Sequence, residues 1–138
     1  MNYKILVITP IRHIKGVQEI LESIGEVKYV DDPTPSEVIS IISSYNAIYT
    51  NPNKSKVFIG KELLDAAKNL NVICTASTGT NHIDKDYVAK LGLPILSLTE
   101  EREVINKISS TAELAFALTL AGIRHLVNGH YSALSGEW

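Results

Sequence analysis

Short apolar segments alternate with segments of helical pattern along most of this chain. The apolar runs are rich in β-branched residues, and most of them end in Pro, Asn, Ser or Thr, which is typical of strands. The predicted strands lie near Lys4–Thr9, Glu26–Tyr29, Ala47–Thr50, Val72–Thr75 and Ile95–Ser97. The predicted helices lie near Ile14–Ile24, Pro35–Ser43, Gly60–Ala67 and Asp84–Leu91, with Gly25 and Gly92 as C′ residues that close the first and the fourth. This alternation predicts an α/β fold with a parallel sheet covered on both faces.

Five strands in this rhythm predict a flavodoxin-like, doubly wound parallel sheet with right-handed crossovers. Ligands of such sheets bind outside the carboxyl ends of the strands, so a site here is expected to assemble from loops that are distant in sequence. Those loops are Thr9–Pro10, Thr50–Pro52, Ala76–Gly79 and Leu98–Glu101.

Composition excludes several classes of protein. The 138 residues carry a net charge of −2 and no cluster of Lys and Arg, which gives no electrostatic case for nucleic-acid binding. The N-terminal apolar run is too short for a signal peptide or a membrane span.

The single cysteine, Cys74, excludes an internal disulfide and favours a reducing compartment, which we expect to be the cytoplasm. Within an apolar run, Cys74 is expected to be a small buried hydrophobe rather than a reactive thiol.

The most informative segment for function is Asn71–Asp84, where an apolar strand stops at small polar residues around a glycine. Asp84 then opens a helix. Such a corner is expected to direct several backbone N–H groups at one point, with the positive end of a helix behind them, and so to bind a carboxylate or phosphate. Thr78 and Gly79 are the best candidates for ligand contact. The alternative is an ordinary strand-to-helix turn in which Gly79 is needed for a positive φ.

After residue 97 the pattern changes. A charged connection, Leu98–Ile108, precedes a predicted capping box with Ser110 as N-cap and Glu113 three residues later. A strongly apolar helix follows and is expected to run to about Val127. A helix that is apolar on nearly every face must be buried, so it is expected to pack on another domain or another subunit. We therefore predict a substrate-binding domain over residues 1–108 and an inter-domain or dimerisation helix over 109–138.

Two blocks of the sequence resemble a known family. Ser77–Asp84, followed by Ala89–Ile95, resembles the substrate-domain signature of the D-isomer-specific 2-hydroxyacid dehydrogenases: a strand, a G-T-N-x-I/V-D turn, a helix and then G-I/L-P. Thr111–Leu118, followed by Arg124, resembles the family's next block, the helix that leads to its nucleotide domain. Gly136–Trp138 resembles the point just before that domain begins.

The resemblance implies a substrate-binding, catalytic-domain role in an oxidoreductase that transfers a hydride between NAD(H) and C2 of a D-2-hydroxy acid or 2-oxo acid. It implies that the backbone N–H groups of Thr78 and Gly79 hold the substrate carboxylate, that Ser77 and Asn51 contact substrate, and that Thr111 lies near the nicotinamide. The apolar helix described above predicts a homodimer. Asn51 stands where the family often has an arginine or a polar residue that touches substrate. Because it is not an arginine, strong electrostatic capture by that loop is not expected, and turn formation remains its other role. For Thr111 the alternative is simple helix initiation.

The chain departs from the complete family pattern in one respect. Its glycines never fall at G-x-G-x-x-G spacing, and no strand–glycine-loop–helix unit for a dinucleotide is recognisable. In the family the nucleotide domain also carries the substrate arginine and a glutamate–histidine acid–base pair, so no catalytic residue is expected here. We expect a substrate half that ends before the domain holding most of the NAD and that is inactive alone.

The remaining polar residues near the corner have structural interpretations. Asp84 is expected to cap the following helix and Asn81 to brace the turn. His82 borders the predicted anion site, but the family's catalytic histidine lies far downstream, so an acid–base role is not expected. The four histidines show no metal-ligand spacing and predict no metal site. They are His13, His82, His125 and His130.

Three other functions occur on folds of this class. A free-standing flavodoxin-like module for binding or dimerisation, without catalysis, remains open. A phosphoacceptor receiver requires carboxylates at the end of the first strand, where Thr9 and Pro10 stand. A flavodoxin requires its phosphate loop after the first strand, whereas the Ser-Thr-Gly-Thr run follows the fourth.

Overall fold

A computed structural model describes residues 3–137 of the chain. They form two compact units, the first ending at Glu101 and the second beginning at Arg102. The functional boundary that the sequence places between residues 108 and 109 stays a prediction.

The first unit contains a five-stranded parallel sheet in the order β2-β1-β3-β4-β5. The strands are β1 (Tyr3–Val7), β2 (Gly25–Tyr29), β3 (Ala47–Thr50), β4 (Val72–Thr75) and β5 (Ile95–Leu96). The helices are α1 (Val17–Ile24), α2 (Pro35–Ile41), α3 (Lys61–Ala66) and α4 (Lys85–Lys90), with short 3₁₀ turns at Ile42–Ser44 and Leu98–Glu100. This strand order confirms the predicted flavodoxin-like, doubly wound fold.

Side chains alternate between two apolar layers on the two faces of the sheet. In β1, Ile5 and Val7 pack with the smaller layer, whereas Leu6 belongs to the larger one. Helix α1 covers the smaller layer, and buried side chains of α2, α3 and α4 contribute to the larger layer. Because successive residues of a strand point to opposite faces, a strand buried on both sides is apolar at every position. This explains the uninterrupted apolar run at the start of the sequence.

Gly25 does not have the role that the sequence predicts. Its φ of 179° is extended backbone, so it is not a left-handed helix cap, and β2 begins at this residue. A Cβ at this position would lie 2.1 Å from the backbone oxygen of Tyr3, its partner on β1. Glycine is therefore required by the close approach of two strands. Gly92, by contrast, has a φ of 67° after α4, which confirms the predicted cap.

The second unit contains α5 (Arg102–Ile105), α6 (Ser110–Ile123) and α7 (Leu126–Ser135). The predicted cap is wrong by one residue: Ser109 is the N-cap of α6, and its hydroxyl donates to the Glu113 carboxylate at 2.5 Å. The predicted continuous helix to Val127 is also wrong. His125 has a φ of 51° and separates α6 from α7, so the apolar segment is two helices.

Large apolar side chains of α6 and α7 are exposed throughout. They are Leu114, Phe116, Leu118, Leu120, Ile123, Leu126, Val127, Tyr131 and Leu134. Within the described part of the chain, none of the helices is long and apolar enough to cross a membrane.

Substituting Gly25 with alanine tests the close approach of β1 and β2. We expect Gly25→Ala to lower the free energy of unfolding by about 1–3 kcal/mol, because its Cβ overlaps backbone that cannot move without separating the strands. Urea denaturation measures the change. The control is Glu26→Ala on the same strand, which removes only an exposed ion pair with Lys4 and is expected to change stability by less than about 0.5 kcal/mol. Equal midpoints for the two variants would contradict this account of Gly25.

Candidate functional site

The turn after β4 lies between the carboxyl ends of the neighbouring strands. The Ala76 N–H donates to the Thr50 carbonyl at the end of β3, with an N–O distance of 3.0 Å. On the other side, the Leu98 N–H donates to the Ser77 carbonyl, also at 3.0 Å. These two bonds bring together the loops after β3, β4 and β5. The predicted assembly of a site from distant loops is thus present for three of its four segments.

Three successive carbonyl groups of this turn are each held by a donor from the fold. The Ser77 oxygen accepts from Leu98 N (3.0 Å), the Thr78 oxygen from Thr99 Oγ1 (2.9 Å) and the Gly79 oxygen from Ser77 Oγ (2.7 Å). In a trans peptide, the carbonyl and the N–H of the next residue point in opposite directions. Anchoring these three oxygens therefore points the following N–H groups, those of Thr78, Gly79 and Thr80, away from the groups that bind the oxygens.

Those N–H groups have no acceptors within the fold. Among residues 3–137, none of the amide N–H groups from Ser77 to His82 donates a hydrogen bond. Thr78 and Gly79 are exposed. A run of oriented, unpaired N–H groups at a turn forms a concave region of positive potential that suits an anion. The sequence-based expectation of available donors at this corner is consistent with this geometry.

The helix that follows does not contribute as expected. Helix α4 begins only at Lys85, and the Asp84 carboxylate accepts from the Tyr87 N–H at 3.0 Å. The capping role predicted for Asp84 is confirmed. However, its negative charge already lies at the helix N-terminus and offsets the positive end of the helix there. The expected support from the helix end is therefore reduced, and the loop amides are the main donors.

Gly79 is not explained by the conformation of the chain. It does not have the positive φ that an ordinary turn of this kind would require; the described glycines with positive φ are Gly16, Gly92 and Gly136. A Cβ on Gly79 would meet no atom within 4 Å. Neither backbone strain nor packing inside the described chain requires glycine at this exposed position. The alternative interpretation, a structural glycine with positive φ, is therefore wrong.

Two of the other predicted contacts are engaged in local structure. The Ser77 hydroxyl is held between Thr75 Oγ1 (2.8 Å) and the Gly79 carbonyl, so the side chain braces the turn. The backbone N–H of Ser77 remains unpaired among the described residues. Asn51 Oδ1 accepts from the Asn53 N–H at 3.0 Å, which forms an Asx turn. A substrate contact by Asn51 would therefore use its side-chain nitrogen.

The remaining predicted residues divide between the two units. Thr111 is exposed in the first turn of α6, in the second unit, and its contact with a cofactor stays a prediction. Asn81 is exposed, and its side chain takes no part in the hydrogen bonds of the described turn, so the expected bracing role is not supported.

His82 contributes to the site in a way that the sequence interpretation missed. Its Nε2 lies 3.1 Å from Thr75 Oγ1, and its buried Nδ1 has no partner among the described residues. Burial lowers the pKa of His82 below its usual value, so the ring is neutral at pH 7. The sequence contains one signal for this role, which is position: His82 directly follows the turn and precedes the apolar Ile83. The fold buries Ile83 and so draws the preceding residue toward the interior.

A shallow cavity of about 230 Å³ lies beside the turn, at the carboxyl ends of β3, β4 and β5. It is lined by Tyr49, Cys74, Thr75, Ala76, Leu96, Ser97, Leu98 and Glu101. Cys74 is half-buried rather than buried as predicted, but burial still raises the pKa of its thiol, which disfavours the reactive thiolate. No group of His, Cys, Asp and Glu side chains suited to a metal occurs among residues 3–137.

Comparison with known proteins places this geometry in context. Residues 5–124 match the catalytic domain of the D-isomer specific 2-hydroxyacid dehydrogenases. The formate dehydrogenase of Candida boidinii is 30% identical over 116 residues, which cover 83% of this chain and 28% of that protein. The D-3-phosphoglycerate dehydrogenase of Methanocaldococcus jannaschii is 27% identical over 135 residues, which cover 98% of this chain and 24% of that protein. The chain thus spans about a quarter to a third of the length of these relatives.

Solved structures show the same fold. The D-lactate dehydrogenase of Aquifex aeolicus, complexed with NAD and lactic acid, matches with a TM-score of 0.74 and 22% identity, covering 98% of this chain and 38% of that one. The NAD-dependent formate dehydrogenase of Staphylococcus aureus, in complex with NAD, matches with a TM-score of 0.73 and 20% identity, covering 98% of this chain and 43% of that one.

Two glycine substitutions separate the two possible reasons for a glycine in this region. We expect Gly79→Ala to leave the urea midpoint unchanged, because the added methyl meets nothing and φ is not positive. Gly92→Ala also meets no atom but occupies φ +67°, so it is expected to lose about 1–2 kcal/mol. A loss of similar size in both variants would mean that Gly79 serves the fold rather than a ligand.

Proposed function

The chain belongs to the D-isomer specific 2-hydroxyacid dehydrogenase family, and on that premise we propose that it is the substrate-binding part of an oxidoreductase. The enzyme would transfer a hydride between NAD(H) and C2 of a D-2-hydroxy acid or 2-oxo acid, acting on the CH–OH group of the donor. The observation that carries this proposal is the row of exposed, unpaired amides at the turn after β4, oriented by three anchored carbonyls.

In this proposal the substrate carboxylate binds to the N–H groups of Thr78 and Gly79. Hydrogen bonds from N–H groups to a carboxylate are charge-assisted and contribute about 1.5–3 kcal/mol each. The segment from Ser77 to Thr80 has no charged side chain, so the attraction comes from oriented dipoles and acts only at short range. Ser77 and Asn51 would contribute from the edge of the site through their nitrogen donors. The absence of a methyl on Gly79 leaves room for the carboxylate against the backbone.

NAD is the cofactor that we propose for the whole enzyme, where it supplies or accepts the hydride. The glycines of this chain do not form the G-x-G-x-x-G loop that binds a dinucleotide, so its residues do not fit the role of holding the cofactor by themselves. A further domain would hold most of it, with Thr111 as a proposed contact from this chain. The role of these residues is to bind and orient the acid, and the 138-residue chain alone is expected to lack dehydrogenase activity.

We further propose that the chain forms a homodimer through the helices α6 and α7. Their apolar side chains, including Phe116 (67% exposed) and Leu118 (64% exposed), are uncovered on the chain itself. Apolar surface of this extent typically marks a protein interface. A second copy of the chain offers a matching apolar surface, since charged residues are few in α6 and α7. The cytoplasm remains the proposed location, because its reducing conditions suit the free Cys74.

Titration with pyruvate, a small 2-oxo acid, tests the carboxylate site. In ¹H–¹⁵N spectra of the labelled chain, we expect the amide signals of Thr78 and Gly79 to move with pyruvate and not with its neutral amide, pyruvamide. Gly79→Ala is expected to abolish the shifts while the rest of the spectrum is unchanged, because the methyl occupies the space of the ligand. Shifts of equal size with pyruvamide, or none with pyruvate, would contradict the proposal.

Light scattering after size exclusion tests the dimer. We expect the wild-type chain to be dimeric and Phe116→Glu to weaken the dimer by about tenfold or more, because a charge would enter an apolar interface. The control is Ile20→Glu, the same kind of change at an exposed apolar residue of α1 in the first unit. A monomeric wild type, or equal weakening by both substitutions, would refute the assignment of the interface to α6 and α7.

A further inference from the structure

A chain of hydrogen bonds connects His82 to the turn that carries the proposed substrate amides. His82 Nε2 lies 3.1 Å from Thr75 Oγ1, Thr75 Oγ1 lies 2.8 Å from Ser77 Oγ, and Ser77 Oγ lies 2.7 Å from the Gly79 carbonyl oxygen. This series of hydrogen bonds starts at His82, which follows the turn, and returns to the turn through Thr75, the last residue of β4.

Counting hydrogens determines the direction of every bond in this chain. A carbonyl oxygen only accepts, so the single hydroxyl hydrogen of Ser77 must point to Gly79. Ser77 Oγ then accepts from Thr75, which uses the only hydroxyl hydrogen of Thr75. Thr75 Oγ1 must in turn accept from His82, so the proton of the neutral imidazole is on Nε2.

The other ring nitrogen agrees with this assignment. Nδ1 of His82 is buried and has no partner among the described residues. In the Nε2–H tautomer it is an unfilled acceptor, whereas the opposite tautomer would bury an N–H donor without an acceptor and would also remove the donor that Thr75 needs. The cost of a buried, unsatisfied donor makes the Nε2–H tautomer the stable form.

The Gly79 carbonyl at the end of the chain controls the next peptide group. Because that peptide is planar, holding the Gly79 oxygen toward Ser77 also fixes the direction of the Thr80 N–H. The two preceding peptides are anchored instead by Leu98 and Thr99, from the loop after β5. His82 and its hydroxyl relay therefore hold the third peptide, the one next to the glycine that leaves space for a ligand.

We propose that His82 is a positioning residue: through Thr75 and Ser77 it holds the Gly79–Thr80 peptide, and so keeps the turn in the conformation in which Thr78 and Gly79 present their N–H groups to a carboxylate. The inference rests on the proposed function of the turn. His82 takes no part in proton transfer to the substrate; it acts on affinity. The whole relay belongs to the first unit and needs no residue of the second.

Three variants separate positioning from simple packing. His82→Phe keeps a planar ring and removes the donor, so we expect pyruvate binding to weaken by about tenfold, the equivalent of one lost hydrogen bond. His82→Gln places an amide nitrogen near the position of Nε2 and is expected to restore most of the affinity. His82→Asn, whose amide nitrogen corresponds to Nδ1, is expected not to restore it. A role in packing alone would be served by the ring of His82→Phe, which would then bind pyruvate as the wild-type chain does.

Two spectroscopic measurements accompany the titrations. The ¹⁵N shifts of the His82 ring nitrogens in the wild-type chain report the tautomer and are expected to show a protonated Nε2 and an unprotonated Nδ1. The ¹³C shift of the Gly79 carbonyl reports its hydrogen bond and is expected to change in His82→Phe and to return toward the wild-type value in His82→Gln.

The possible results have distinct consequences. A wild-type chain that does not bind pyruvate refutes the proposed function and, with it, the role of His82 in affinity. Normal pyruvate binding by His82→Phe overturns the positioning role while leaving the carboxylate site intact. A proton on Nδ1 overturns the relay even if every variant fails to fold, because that measurement uses the wild-type chain alone.

Discussion

The anchoring of three consecutive carbonyl oxygens is the constraint on which the candidate site depends. The donors come from three different places: a backbone N–H after β5, a threonine hydroxyl one residue further along, and a serine within the turn itself. Each bond satisfies one carbonyl inside the fold and leaves the N–H on the other side of the same peptide without a partner. The fold thus leaves a row of unpaired donors on neutral backbone, an arrangement that suits an anion, at the edge where parallel sheets bind ligands.

This arrangement explains why small polar residues occupy the turn. Ser77 supplies a hydroxyl that reaches its own backbone two residues later, and Gly79 leaves the space in front of the amides open. Because α4 is already capped by Asp84, little positive potential from the helix remains, and the loop must supply the donors. A site of this kind binds weakly by itself. The relatives are three to four times longer than this chain, and under the proposed function other parts of the enzyme would contribute to substrate binding.

Local patterns in the sequence predicted the architecture well, because the period of apolar residues and the end of each apolar run depend on neighbours along the chain. The strands Ala47–Thr50 and Val72–Thr75 have their predicted bounds. The errors arose where a distant partner decides the outcome. Gly25 is extended because Tyr3 of the adjacent strand approaches it, and no pattern around residue 25 shows that approach. The interruption at His125 is a left-handed residue that follows Arg124 at the end of the apolar run, and the helical pattern continues on both sides of it.

The candidate site shows the same division. Thr78 and Gly79 follow from the motif, but the reason that their amides are available does not, since it depends on the contact of Thr99 with Thr78, 21 residues apart. Amide hydrogen exchange tests this central claim most directly. The N–H groups of Thr78, Gly79 and Thr80 are predicted to exchange at nearly the rate of unstructured peptide, while those of Ala76 and Leu98, which donate to the carbonyls of Thr50 and Ser77, are strongly protected. Protection of Thr78–Thr80 comparable to that of Ala76 would show that these donors are satisfied within the fold, and the carboxylate site would have no physical basis.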